Sequence, residues 1–191
     1  MGKIKLSKYC QHKNFTVEEA VDFIKSYWAK YPEFICYDST IVVGKDEIKN
    51  AIGKAKTLGL GRIKPEAWIR FERWLNKKYK KDTTIKQLVI IFTNTRKKKT
   101  VLKGIREAAF TKTVHRLRPK EMPIVDNKIC KYYNTHNLKN IIVEINEDCA
   151  KYKKQLEVIA NKCSRNGIKI SSLRAWDILV WSTIKNKGAG K

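Results

Sequence analysis

Apolar residues return every third or fourth position along most of this chain, and that period confines it to a fold of amphipathic helices. The clearest case is TVEEAVDFIKSYWAKY, where Val17, Ala20, Val21, Ile24, Tyr27, Trp28 and Tyr31 share one face. Thr16 and Glu19 have the spacing of a capping box, and Pro32 ends the run. DEIKNAIGKAKTL repeats the pattern through Ile48, Ala51, Ile52 and Ala55 and stops at Gly59. Pro65 suits the first turn of KPEAWIRFERWLNKKY, whose apolar face is Trp68, Phe71, Trp74, Leu75 and Tyr79. TTIKQLVIIF is apolar nearly all round and reads as a buried helix, with a strand as the other option. Residues 97–117 are helical again.

The second half follows suit. Asp126 opens a short helix through Tyr133, and NLKNIIVEINEDCAKYKKQLEVIANKC forms one long or broken helix. SSLRAWDILVWSTI closes the pattern through Leu173, Trp176, Val180, Trp181 and Ile184. FICYDSTIVV is a short strand or an extended link, MGKIKLSKYCQHKN a basic and loosely ordered start, and KNKGAGK a frayed tail. Seven or eight helices with at most a minor strand pair define a mainly α class. Without an internal repeat or a low-complexity linker, residues 1–191 are expected as a single, compact multi-helix domain, with room for two helical lobes.

A chain that is 42% hydrophobic has the means to bury a core, so its charge needs a separate explanation. Lys and Arg number 42 against 18 Asp and Glu, a net charge of +24. Such an excess repels itself, which points to a polyanionic partner rather than to surface solubility alone. Nucleic acid is the first candidate, DNA ahead of RNA. An anionic membrane comes second, but no long apolar span or signal peptide is present, so no membrane partner is expected. The odd set Cys10, Cys36, Cys130, Cys149 and Cys163, with no CxxC, reads as reduced thiols of an intracellular protein. Cys10 and His12 lie close in sequence, but nothing completes a tetrahedral site, so neither metal nor cofactor is expected. A monomer is expected.

The charge concentrates in the middle. Between Arg96 and Lys120 stand ten basic residues and one acid, Glu107, a net +9. Lys97, Lys98, Lys99, Lys103, Arg106, Lys112, Arg116 and Arg118 from this block, and Lys128 beyond it, are the candidate phosphate contacts. Gly104 interrupts the block, and a helix-interior glycine costs up to about 1 kcal/mol relative to alanine. Either a packed crossing needs a small residue there, or Gly104 separates two helices. A glycine turn would leave backbone N–H groups at the start of the second helix, where a phosphate binds.

LKGIREAAFTKTVHRLRPKEMPIVD, Leu102 to Asp126, resembles the helix-hairpin-helix DNA glycosylase superfamily. That family has a hairpin reading L-P-G-V-G, an alanine-bearing helix, and an apolar lead into a catalytic aspartate. Gly104 and Asp126 fall in the glycine and aspartate places, and Ile105 in the apolar hairpin position. Lys103 replaces the hairpin proline, Arg106 the second glycine, and Asn127 and Lys128 stand where a histidine often follows the aspartate. The lysine of the bifunctional members would fall near Ala108, which has no amine. The resemblance therefore implies excision of a damaged or mismatched base without lysine-based strand cleavage, with Lys112 the nearest displaced amine.

Breaking an N-glycosidic bond builds positive charge on the sugar, and a carboxylate at Asp126 would stabilise it or orient water. Asp126 is equally suited to cap a helix, and the two roles are compatible. Trp176 and Trp181 are available either to the core or to an extruded base.

Overall fold

The structure is a computed structural model and describes residues 2–8, 11–32, 45–57, 60, 62–98 and 100–184. Its elements are a β-hairpin, β1 (Ile4–Lys8) and β2 (Gln11–Phe15), followed by α1 (Val17–Lys30), α2 (Lys45–Thr57), α3 (Pro65–Lys78) and α4 (Ile85–Lys97). Then come α5 (Glu107–Leu117), α6 (Asn127–Tyr132), α7 (Leu138–Lys151), α8 (Lys153–Arg165) and α9 (Ser172–Thr183). The mainly α class is what the apolar period predicts.

The helix boundaries follow local chemistry. Thr16 and Glu19 form the capping box of α1, and Thr84 and Gln87 form a second one that starts α4. Pro65 occupies the first turn of α3. The predicted faces of α1, α2 and α3 turn inward, with Ile24, Ala55, Phe71 and Leu75 fully buried. The long C-terminal pattern breaks at Tyr152, giving α7 and α8.

Two expectations change. The N-terminus is not loosely ordered: β1 and β2 pair antiparallel from Ile4 opposite Phe15 to Lys8 opposite Gln11. Alternation places Ile4 and Leu6 in the core, a two-residue period hidden among lysines. The Tyr152 hydroxyl donates to the Lys5 carbonyl (3.0 Å), and Lys8 pairs with Glu144 (2.8 Å) and Asp148 (3.3 Å), tying the hairpin to α7 and α8. Secondly, α4 is a helix but not buried all round, since Ile90 is 40% exposed. FICYDSTIVV lies outside the described residues, as do Gly59, the tail, and Lys99.

Packing sorts the helices into two groups within one continuous buried cluster. α2 rests on α3 and α5, while α1, α8 and α9 pack on one another with α6 and α7 against α9. α4 touches α7 and so bridges the groups. Aromatic rings fix the first group: Phe92 of α4 stacks on Phe110 of α5 at 4.0 Å, and Trp74 of α3 meets both edge-on. Each such pair adds about 0.5–1.5 kcal/mol beyond simple burial. The connection from α4 to α5 is thereby held at both ends.

Candidate functional site

The α4–α5 connection answers the question raised by Gly104. Its φ of +91° is a left-handed conformation, and a Cβ there would stand 3.3 Å from Cβ of Ala67 on α3. Gly104 thus separates two helices and permits a close approach, and residues 97–117 are not one helix. Leu102 and Ile105 anchor the turn in the core, while Lys103 and Arg106 remain exposed beside it. Arg106 is the N-cap of α5 and supplies no side-chain acceptor to the helix. Glu107 pairs with Arg96, so the one acid of the block is taken up by a cation of α4.

The segment from Pro119 to Asp126 carries the candidate catalytic carboxylate, and α5 and α9 pin it at successive residues. Ser171 donates to the Pro119 carbonyl (2.8 Å). His115 meets the Met122 carbonyl through Nδ1 (2.6 Å). Asp177 accepts from the Ile124 N–H (3.2 Å), and Thr111 Oγ1 from the Val125 N–H (3.0 Å). His115 and Thr111 are fully buried. Burial keeps the imidazole neutral, its pKa pushed down to about 3. A chain held this way delivers Asp126 to a fixed place.

Asp126 is half-buried and caps α6, its Oδ1 accepting from the N–H groups of Lys128 (2.9 Å) and Ile129 (3.1 Å). The cap reading is therefore observed, and the partial exposure leaves the carboxylate able to meet a ligand. Lys112, on α5, lies within its field: burial lowers the amine's pKa, Asp126 draws it back up, and Arg174 lowers it further. Lys128 stands 3.3 Å over the ring of half-buried Trp181, which meets Tyr27 edge-on. Behind them Arg174 and Asp177 form a buried ion pair, and Arg174 also hydrogen-bonds Tyr27. Burial raises the Asp177 carboxyl to about 6 despite that pairing. A carboxylate, two lysines and an aromatic ring, supplied by α1, α5, α6 and α9, are thus gathered around Asp126.

Other sequence candidates fall elsewhere. Lys97 and Lys98 are exposed near the turn and Arg116 is half-buried. Arg118 is not a phosphate contact. It is 5% exposed, and its guanidinium donates to the Tyr79 hydroxyl (3.1 Å) and the Lys81 carbonyl (2.9 Å). Its neighbour on α5, Leu117, faces the core, and the helix end turns Arg118 inward to hold the α3–α4 loop. Trp176 is likewise unavailable to a base: it is 1% exposed, stacks on Tyr152 and donates to the Tyr133 hydroxyl (3.0 Å). Periodicity gave no reason to pick Arg174, Thr111 or His115. The usable signal was the Arg174–Asp177 spacing, a charge pair inside an otherwise apolar helix.

Residues 63–184 match DUF6308, a family of unknown function. The chain belongs to that family. No curated protein and no solved structure matches it. The DUF6308 region runs from the lead into α3 to the end of α9. It therefore holds the Gly104 turn, the pinned segment, Asp126 and the Arg174–Asp177 pair, whereas Tyr27 lies outside it. Among the described residues of this DUF6308 member no group of His, Cys, Asp and Glu gathers as metal ligands, and no helix is long and apolar enough to cross a membrane. Cys10 and the His12 side chain lie outside the described residues. Cys130, Cys149 and Cys163 form no disulfide, and burial raises the Cys149 thiol to about 12.

Proposed function

We propose that this DUF6308 protein is a DNA base-excision glycosylase that hydrolyses the N-glycosidic bond of a damaged or mismatched base. The observation that carries the reading is Asp126: a half-exposed carboxylate on a rigid lead, flanked by Lys112 and Lys128 within a strongly basic chain. In this scheme the exposed cations Lys97, Lys98, Lys103 and Arg106 hold phosphates around the Gly104 turn. The target base leaves the stack so that its sugar can reach Asp126. As the bond to the base breaks, Asp126 stabilises the cationic sugar and orients the water that adds to it. The base leaves with the bonding electron pair and is protonated. Lys112 serves as a charge beside Asp126 and not as a nucleophile, so borohydride should trap no adduct with an abasic duplex.

The test is an excision screen with duplexes bearing uracil, oxidised guanine or alkylated adenine, followed by alkali cleavage. One of them should yield product, and Asp126→Asn should lower the rate by about 10²–10³-fold. Asparagine caps helices as well as aspartate does, so α6 and duplex binding should persist. Excision at the original rate by the variant would remove Asp126 from the chemistry. A second reading, a non-enzymatic α-helical DNA- or RNA-binding protein, is favoured by the exposed cations around the turn, which need no catalytic group. It requires salt-dependent binding with no product from any duplex.

A further inference from the structure

We infer that the groove between α3 and α4 is a second nucleic-acid site, which accepts one unpaired nucleotide of a strand with its base inside and its phosphates on the rim. It shares with the proposed function the polyanionic partner and the rim cation Lys98, and involves no excision. The groove has a volume of about 690 Å³, within the range of nucleotide-sized ligand sites. Trp74, Ile91 and Val101 give it an apolar wall. Arg70, Arg73, Lys77, Lys78 and Lys98 surround that wall, and no carboxylate lines it among the described residues.

The independent sign of a ligand is inside. Trp74 is only 6% exposed, and its indole N–H has no acceptor among the described residues. Nε of Arg70 is in the same state. Buried donors are almost always satisfied, so two orphans lining one cavity call for an acceptor that arrives from outside. A nucleobase supplies a flat apolar body for the wall and carbonyl or ring-nitrogen acceptors for the indole. The cations at 70, 73 and 77 are spaced by three and four along α3, an arrangement that repels itself until phosphates intervene. Nη2 of Arg70 also donates to the Lys103 carbonyl (3.1 Å), joining the groove to the exposed cations of the Gly104 turn. That continuity, over more positive charge than one phosphate can answer, favours a strand over a free nucleotide.

The experiment measures binding of the full chain to dT12, to a 12-mer lacking bases, and to free thymidine monophosphate, across a salt series. The native chain should bind dT12 at least 5-fold more tightly than the abasic strand, with thymidine monophosphate a poor competitor. Trp74→Phe keeps a ring but loses the N–H, and should at least halve that ratio. Arg73→Ala with Lys77→Ala, both at exposed sites, should weaken dT12 binding about 10-fold and reduce the salt slope by about 1.4, roughly 0.7 per cation on a single strand. Equal binding of the abasic strand, an unchanged slope in the double variant, or thymidine monophosphate competing as well as dT12 would each overturn the inference. Strand binding neither needs nor reports excision, so this result stands apart from the Asp126 screen.

Discussion

Around Asp126 the buried polar groups already answer one another. Asp177 holds Arg174 and the Ile124 N–H, Thr111 takes the Val125 N–H, and Asp126 itself is bonded to the start of α6. In the α3–α4 groove the cations Arg73, Lys77, Lys78 and Lys98 stand at the surface, and the Trp74 N–H is left without an acceptor among the described residues. The first region is built by folding, and its geometry is fixed before any ligand arrives. The second carries unfilled bonding capacity, which folding tolerates and a ligand would complete. Substitutions should therefore cost stability around Asp126 and affinity in the groove.

The largest stability effect should come from Arg174→Met. It leaves Asp177 buried without its cation, a loss of about 3–5 kcal/mol, read by urea denaturation. A loss under about 1 kcal/mol would mean that the pair does not hold the surroundings of Asp126 together, and the contrast between the regions would weaken.

His115 comes next, and its effect depends on pH. Its folded pKa of about 3 lies below the ordinary value of 6.5, so its contribution is present above pH 6.5 and drains away as pH falls toward 3. Between pH 7 and 5 the loss should be about 2 kcal/mol. Asp177, raised to about 6, acts in the opposite sense: its contribution is present at low pH and fades as pH rises through 6. The informative quantity is thus native chain minus His115→Gln, in which Asp177 cancels. A difference that stays flat over this range would show that the segment before Asp126 is not held by a neutral imidazole.

The fold was legible where packing obeys a period. The faces of α1, α2 and α3 follow three-four spacing, and the Thr16–Glu19 capping box is purely local. The β-hairpin was not, because Ile4 and Leu6 alternate with polar residues for only one short strand. Asp126 and Gly104 could be singled out because each interrupts a pattern: a carboxylate between an apolar lead and a helix start, and a glycine inside a helical run. The residues that pin Asp126 break none. Thr111 and His115 read as ordinary members of α5, and their partners are backbone groups of a distant segment, which no side-chain pattern records. Arg118 misled for the same reason, since its charge was visible and the carbonyls that bind it were not. The groove needed two helices side by side before Trp74 could be seen as a residue of its wall with an unpartnered donor among the described residues.

Thr111→Val tests the pinning with nearly constant shape. The Val125 N–H would lose its acceptor in a dry interior, which should cost about 1–3 kcal/mol. If the proposed excision depends on Asp126 being held by that bond, its rate should fall further than the stability loss explains under conditions where the variant is fully folded. Unchanged excision would mean that the other contacts suffice to place the carboxylate.

The smallest effect, and the one that bears most directly on the contrast, belongs to Lys77→Ala. Lys77 is exposed on α3, four residues after Arg73, and removing it relieves a like-charge pair worth about 0.2–0.5 kcal/mol. Alanine also has the higher helix propensity. Lys77 also stands in the last turn of α3, where a cation meets the helix dipole favourably, so the opposing terms offset and the variant should match the native chain to within about 0.5 kcal/mol. A measured loss above about 0.5 kcal/mol would make Lys77 part of the folded framework, and the groove would then resemble the surroundings of Asp126 with which it is contrasted.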